Sequence, residues 1–122
     1  MASTPIQKEV KELLRTLSVK PTLNGYFYWP YAVEEALKRG ELNYKICSDI
    51  YGTVAKKYNT AASKVERCMR TVTESCQSKI KKHFEVDFEK ITNKEFLALM
   101  VEKMIERRKK DERKTTRTKK TN

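Results

Sequence analysis

An all-α fold, a compact bundle of about six helices, is what the sequence predicts, and three observations carry that prediction. Apolar residues recur at three- and four-residue steps through most of the chain, which is the spacing of one buried helix face. Glycine and proline are scarce, three of each in 122 residues, so long segments lack the residues that punctuate turns. A chain of this length has room for one core and needs neither metal nor disulfide to hold it.

Ile6, Val10, Leu13, Leu14 and Leu17 share one face of a helix predicted over Ile6–Val19. Pro5 suits its start and Pro21 follows its end. After a turn at Thr22–Gly25, the aromatic cluster Tyr26, Phe27, Tyr28, Trp29 and Tyr31 leads into a second helix ending near Gly40. Proline lacks an N–H and fits a helix's first turn, so Pro30 places that start near Trp29. A third helix is expected from about Asn43 to Tyr58, with Ile46, Ile50, Val54 and Tyr58 on its stripe. The fourth, about Ala61 to Lys81, turns Val65, Cys68, Met69, Val72 and Cys76 inward.

Around His83–Ile91 the residues Phe84, Val86 and Phe88 alternate as in a strand while the flanks look helical; a short helix and loop is predicted. The last helix starts with Thr92 or Asn93 as cap and buries Phe96, Leu97, Met100, Val101, Met104 and Ile105. Past Glu106 the apolar residues stop. Residues 1–106 therefore read as the domain and 107–122 as a disordered basic tail.

The net charge is +11, of which Arg107–Lys120 supplies +7, nine Lys or Arg against Asp111 and Glu112, leaving +4 on the rest. Such a surface favours polyanionic partners, nucleic acid first. The three cysteines are an odd number without C-x-x-C spacing, which points to a reducing cytoplasm. No segment has the form of a signal peptide or a membrane span. His83 is the only histidine, the glycines are too few for a phosphate loop, and Glu34 and Glu35 diverge around their helix. No catalytic, cofactor or metal site is expected from such a set. The aromatic cluster reads as a core anchor rather than a base-stacking platform.

At about 100° per residue, Val65, Met69, Val72 and Cys76 of the fourth helix fall within about 60° of arc. Ser63, Arg67, Arg70, Thr71 and Glu74 lie opposite, flanked by Lys64 and Glu66. With a similar helix before it and a short polar turn between, the pair has the layout of a helix-turn-helix. Arginine and lysine can donate to guanine, glutamate can accept from cytosine, and threonine can meet a thymine methyl. Lys56 and Lys57, at the end of the preceding helix, suit phosphate oxygens. A solvated face in another kind of helical bundle shares this pattern.

The run V-A-K-K-Y-N-T-A-A-S-K-V-E-R-C-M-R, Val54–Arg70, resembles the DNA-binding helix-turn-helix of the master sporulation response regulator family, the stage-zero sporulation transcription factors, which read I-A-K-K-F-N-T-T-A-S-R-V-E-R-A-I-R-H. The likeness continues in G-Y-F-Y-W-P-Y-A-V at Gly25–Val33 and in T-N-K-E-F-L-A-L-M-V-E-K at Thr92–Lys103. It implies a six-helix effector domain that inserts the second helix of the motif into the major groove, often as tandem copies on adjacent boxes. Carried over by position, Arg67 is the leading base reader and Lys64 and Glu66 support it. Ser63, Arg70, Lys56 and Lys57 are assigned mainly to phosphates, and Thr71 completes the DNA-facing set.

This chain departs from the family pattern in three places. Lys64 stands for an arginine whose planar fork an ammonium does not reproduce, and Thr71 stands for a histidine. Ala61 replaces a threonine able to cap the recognition helix, leaving Thr60 or Asn59 to do so. The segment His83–Lys90 shares little with the family's polymerase-contacting surface. A receiver domain precedes the effector in the family, whereas here Met1 stands a few residues before the first helix; a stand-alone effector and a fragment are both compatible with that. The expectation is a double-stranded DNA-binding transcription regulator. The alternative is a protein-interaction module that antagonises a full-length sporulation regulator or RNA polymerase.

Overall fold

A computed structural model describes residues 4–39 and 49–121, with side chains as far as residue 109. Its described helices are α1 (Pro5–Thr16), α2 (Gly25–Arg39), α3 (Tyr51–Lys57), α4 (Ala62–Ser75), α5 (Gln77–Phe84) and α6 (Asn93–Thr121), with no strand among the described residues. The all-α bundle read from the sequence is thus the observed one. Helix α2 lies at its centre, packed against α1, α3, α4 and α6, and α4 packs in turn on α3 and α6.

The core forms where the apolar stripes converge. Trp29, Phe96, Leu14, Met69 and Ile80 are fully buried, each contributing about 1.5–3 kcal/mol relative to exposure. The Trp29 and Phe96 rings lie 4.8 Å apart. From this centre Trp29 Nε1–H donates to the Met69 carbonyl at 3.1 Å, so the largest side chain of α2 is fixed to the backbone of α4. One turn earlier Gly25 lies so close to α4 that a Cβ there would stand 2.5 Å from Val72 Cγ2 and 2.6 Å from the Cys68 carbonyl oxygen.

That contact corrects the predicted start of the second helix. It begins at Gly25, four residues before Trp29, and carries Pro30 in its interior. Proline leaves the Tyr26 carbonyl without its usual in-helix donor, but burial of Tyr26, Tyr28 and Trp29 outweighs that loss. The Tyr58 hydroxyl reaches the neighbouring Phe27 carbonyl at 3.3 Å. Tyr58 is 40% exposed and so leaves the buried stripe on which the sequence places it; Tyr51 is buried instead. Of the predicted third helix, Asn43–Cys47 and position 48 lie outside the described residues.

The single helix predicted over Ala61–Lys81 is two. The Ser75 hydroxyl and Cys76 thiol both donate to the Val72 carbonyl, at 2.7 and 3.2 Å, drawing the chain out of helix at Cys76 (φ −128°, ψ 31°). Side-chain donors competing for a backbone acceptor account for the break. Cys68, predicted inward, is partly buried against the core. Burial pushes the Cys76 thiol up to about 11, in keeping with a core filler. After α5, the Gln77 side chain accepts from Ile91 N–H at 2.7 Å and donates to the Ile91 carbonyl at 2.8 Å, pinning the following loop.

Helix α6 opens with a reciprocal cap. Thr92 Oγ1 accepts from Glu95 N–H at 3.2 Å, and Glu95 Oε1 accepts from Thr92 N–H at 2.9 Å. Thr92 is therefore the cap, and Asn93, the other candidate, is buried and bonded elsewhere. The Asn93 amide donates to the Tyr51 hydroxyl at 2.9 Å and lies 3.4 Å from the Glu66 carbonyl, while its oxygen lies 2.7 Å from the Thr73 hydroxyl. Asn93 thus joins α3, α4 and α6. The apolar stripe of α6 ends at Ile105, and its backbone continues as helix to Thr121 where the sequence predicts disorder; residues 93–121 contain no Gly or Pro to stop it.

Among the described residues, Ser18, Asn59 and Glu85 adopt the left-handed conformation at helix ends. At the joint between α3 and α4, Asn59 (φ 51°) donates to the Lys56 carbonyl at 3.4 Å and Thr60 N–H to the Ala55 carbonyl at 2.9 Å. This paired closure satisfies the end of α3. Neither residue expected to cap the next helix does so: the N-cap of α4 is Ala61, with no side-chain hydrogen bond.

Three outcomes are expected. Gly25→Ala forces α2 away from the α4 backbone and lowers stability by about 2–3 kcal/mol, to be read from urea unfolding. Ala61→Ser supplies the missing cap on an exposed, already extended residue and raises stability by about 1 kcal/mol, visible as a higher thermal midpoint. His83 Nε2 is buried without a partner among the described residues, and desolvation, reinforced by Lys103 and Arg107, lowers the ring's pKa below its ordinary 6.5. The unfolded chain takes up that proton first, so stability falls as pH drops through about 6.5. His83→Asn flattens that decline in unfolding titrations between pH 7 and 5.5.

Candidate nucleic-acid interface

The inner face of α4 is committed to the core through Val65, Met69, Val72 and Thr73, which leaves the opposite face to solvent. Ser63, Lys64, Arg67, Arg70 and Thr71 are exposed there, and Glu66 is half-buried on the flank. Lys56 and Lys57 are exposed in the last turn of α3, just before the joint. All eight sequence-predicted residues therefore fall within one helix-turn-helix.

Their electrostatic surroundings differ. Lys64 and Arg67 make no ion pair or hydrogen bond through their side chains among the described residues, so their charges stand uncompensated. Arg70 Nε lies 3.5 Å from Glu66 Oε2 and 3.7 Å from Glu74 Oε1. At half exposure such pairs contribute little stability, but two carboxylates orient the guanidinium along the helix and offset its charge. Thr71 donates to the Arg67 carbonyl at 2.9 Å, leaving its methyl and oxygen lone pairs for outside contacts. Lys57 Nζ lies 5.9 Å from the centre of the Tyr31 ring. Tyr31 and Tyr28 both pack against Tyr58, with ring centres 6.1 and 5.1 Å apart. The aromatic cluster thus anchors α2 with Tyr26, Tyr28 and Trp29, while Phe27 is 45% exposed.

A cleft of about 430 Å³ opens beside the later turns of α4. Tyr51, Thr73, Ile91 and Asn93 line its depth, and Glu66, Arg70, Glu74, Lys90 and Lys94 also face it. Lys90 Nζ lies 4.0 Å from Glu74 Oε2. The sequence reading passes over Lys90 and Lys94 because neither belongs to the helix-turn-helix. The T-x-x-E capping box at Thr92–Glu95 was the available signal, since it marks where a helix begins.

No described helix is long and apolar enough to cross a membrane, and no group of three or more metal-binding side chains occurs among the described residues. Residues 10–104, most of the chain, match the model of the family described as sporulation initiation factor Spo0A, C terminal. That span runs from the buried face of α1 to the last fully buried turn of α6 and includes the whole helix-turn-helix. The chain therefore belongs to this family of DNA-binding effector domains of sporulation transcription factors.

Proposed function

We propose that the protein is a sequence-specific regulator of transcription that places α4 in the major groove of double-stranded DNA. The observation that carries this reading is the pairing of a face rigidly held in the core with two uncompensated cations, Lys64 and Arg67, on the opposite face. Arg67 is the principal base reader: its fork matches guanine O6 and N7. Lys64, as a compact ammonium, supports it with less geometric discrimination. Glu66 reads cytosine from the flank, and Thr71 offers a methyl. Ser63, Lys56 and Lys57 contact phosphates at the entrance of the motif, with Arg70 joining them further along α4. Tandem copies on adjacent boxes and contact with RNA polymerase are the wider arrangements that the family resemblance implies.

A second reading, a protein-interaction module, draws on Phe88, 40% exposed between the carboxylates of Asp87 and Glu89. The two readings separate in one titration at near-physiological salt, comparing a duplex carrying the family's box with a scrambled duplex of equal composition. Preference for the box of a hundredfold or more, about 2.7 kcal/mol, is expected. Equal binding to both duplexes, together with DNA-free co-purification with a sporulation regulator or polymerase, overturns base readout in favour of the module. Arg67→Ala is expected to lose about 1–3 kcal/mol on the box and little on the scrambled duplex. Truncation of residues 107–122 lowers affinity for both duplexes and flattens the salt dependence.

A further inference from the structure

We propose that Lys90 and Lys94 form a second phosphate-binding point for double-stranded DNA, across the cleft from Arg70; this rests on the reading that α4 occupies the major groove. Both lysines are exposed. Lys94 makes no side-chain hydrogen bond or ion pair among the described residues, and Lys90 has one described ion-pair partner, Glu74 at 4.0 Å.

What distinguishes them from other surface lysines is the backbone that carries them. Ile91, next to Lys90, is held from both its N–H and its carbonyl by Gln77. Asn93, next to Lys94, is held to the Tyr51 hydroxyl, to Thr73 and to the Glu66 carbonyl. Two of those anchors are on α4 itself. The attachment points of both ammonium groups are therefore fixed relative to the recognition helix, and only their flexible stems remain to be ordered when they bind.

Position and chemistry agree with a phosphate partner. The ten residue steps from Lys64 to Glu74 rise about 15 Å, more than a major groove about 12 Å wide and 8.5 Å deep can enclose. With the start of α4 against the bases, the turn carrying Arg70 and Glu74 stands at the rim where the sugar-phosphate strand runs. Lys90 and Lys94 lie across the cleft from that turn. An ammonium is a strong phosphate partner and a poor base reader. Glu74, which is within 4.0 Å of Lys90 and 3.7 Å of Arg70, holds both cations beside the empty rim and gives them up to phosphate. Glu85, Asp87 and Glu89 on the preceding loop are exposed carboxylates, which disfavour a phosphate strand along that loop.

The test is a fluorescence-anisotropy titration of the full chain on box and scrambled duplexes between 50 and 200 mM salt. The double variant Lys90→Ala/Lys94→Ala is expected to flatten the log–log salt slope by about 1.8, a loss of affinity across that range about 12-fold smaller than in the parent. The weakening at low salt is equal on both duplexes, the thermal midpoint is unchanged, and the double arginine variant restores the slope. Glu74→Gln binds both duplexes more tightly. A remote pair of equal charge, Lys8→Ala/Lys20→Ala, changes the slope little. An unchanged slope in Lys90→Ala/Lys94→Ala, an equal change in the remote pair, or a loss confined to the box overturns the proposal. If the parent protein shows no preference for the box, the α4 reading fails instead, and the comparison of slopes still decides whether these lysines touch phosphate.

Discussion

Everything that α4 presents to solvent depends on how closely α2 can approach it from behind. At Gly25, α2 brings no side chain of its own and lies directly against Val72 and the Cys68 carbonyl of α4, and at Trp29 the indole N–H is bonded to the Met69 carbonyl. Together these contacts fix both the distance and the rotation of α4. Rotation matters because inward and outward residues alternate closely along the helix: Val65 and Met69 are buried while Lys64, Arg67 and Arg70 are exposed. A turn of one residue's arc, about 100°, would exchange core side chains for charged ones. The approach of a glycine thus determines which residues form the outer face.

A second constraint acts from the other side and is polar. Asn93 reaches the Tyr51 hydroxyl on α3 and both Thr73 and the Glu66 carbonyl on α4. A buried amide left unpaired is unfavourable by about 1–3 kcal/mol, so the network selects the arrangement in which α3, α4 and the start of α6 are all in register. Apolar packing alone tolerates sliding more readily than hydrogen bonds with fixed directions do. The turn at Asn59 and Thr60 completes the restraint by closing α3 on its own carbonyls, which sets the angle at which the chain leaves for α4.

The parts of this fold legible in the sequence were those governed by periodic burial. The stripes of α1, α4 and α6 were readable because Val10, Leu14, Met69, Val72, Phe96 and Met100 recur at helical spacing and are all buried. The misread places are those where a single local interaction overrides the period. Pro30 argued for a late start to α2, but propensity does not register that Gly25 and three aromatic residues upstream have tertiary partners. Cys76 breaks a continuous stripe because two side chains share one carbonyl, which periodicity cannot display. Thr92 and Asn93 both read as caps from sequence, and only the fold shows that Thr92 takes that role while Asn93 is buried, since capping and core roles draw on the same residue type. For the candidate interface, the placement of the eight residues on one helix-turn-helix was legible from local spacing. Lys90 and Lys94 were not, because their place beside α4 comes from a long-range contact.

These restraints bear on how the molecule divides affinity from discrimination. Discrimination between bases needs donors held in a fixed frame, because misplacement by about an ångström forfeits the directional part of a hydrogen bond. The frame here is supplied by Gly25, Trp29 and Asn93, none of which faces the groove in the proposed complex. Attraction to the phosphate strands needs only charge at the correct distance, and most of the chain's excess lies in Arg107–Lys120, beyond the buried stripe of α6. The cations on α4 are unequal in the same sense: Arg67 has no ion pair among the described residues, whereas Arg70 is restrained by Glu66 and Glu74. A helix bearing only unpaired arginines would bind every sequence strongly. Placing carboxylates beside some of them lowers the sequence-independent attraction and leaves the geometrically fixed contacts to decide which sequence is bound.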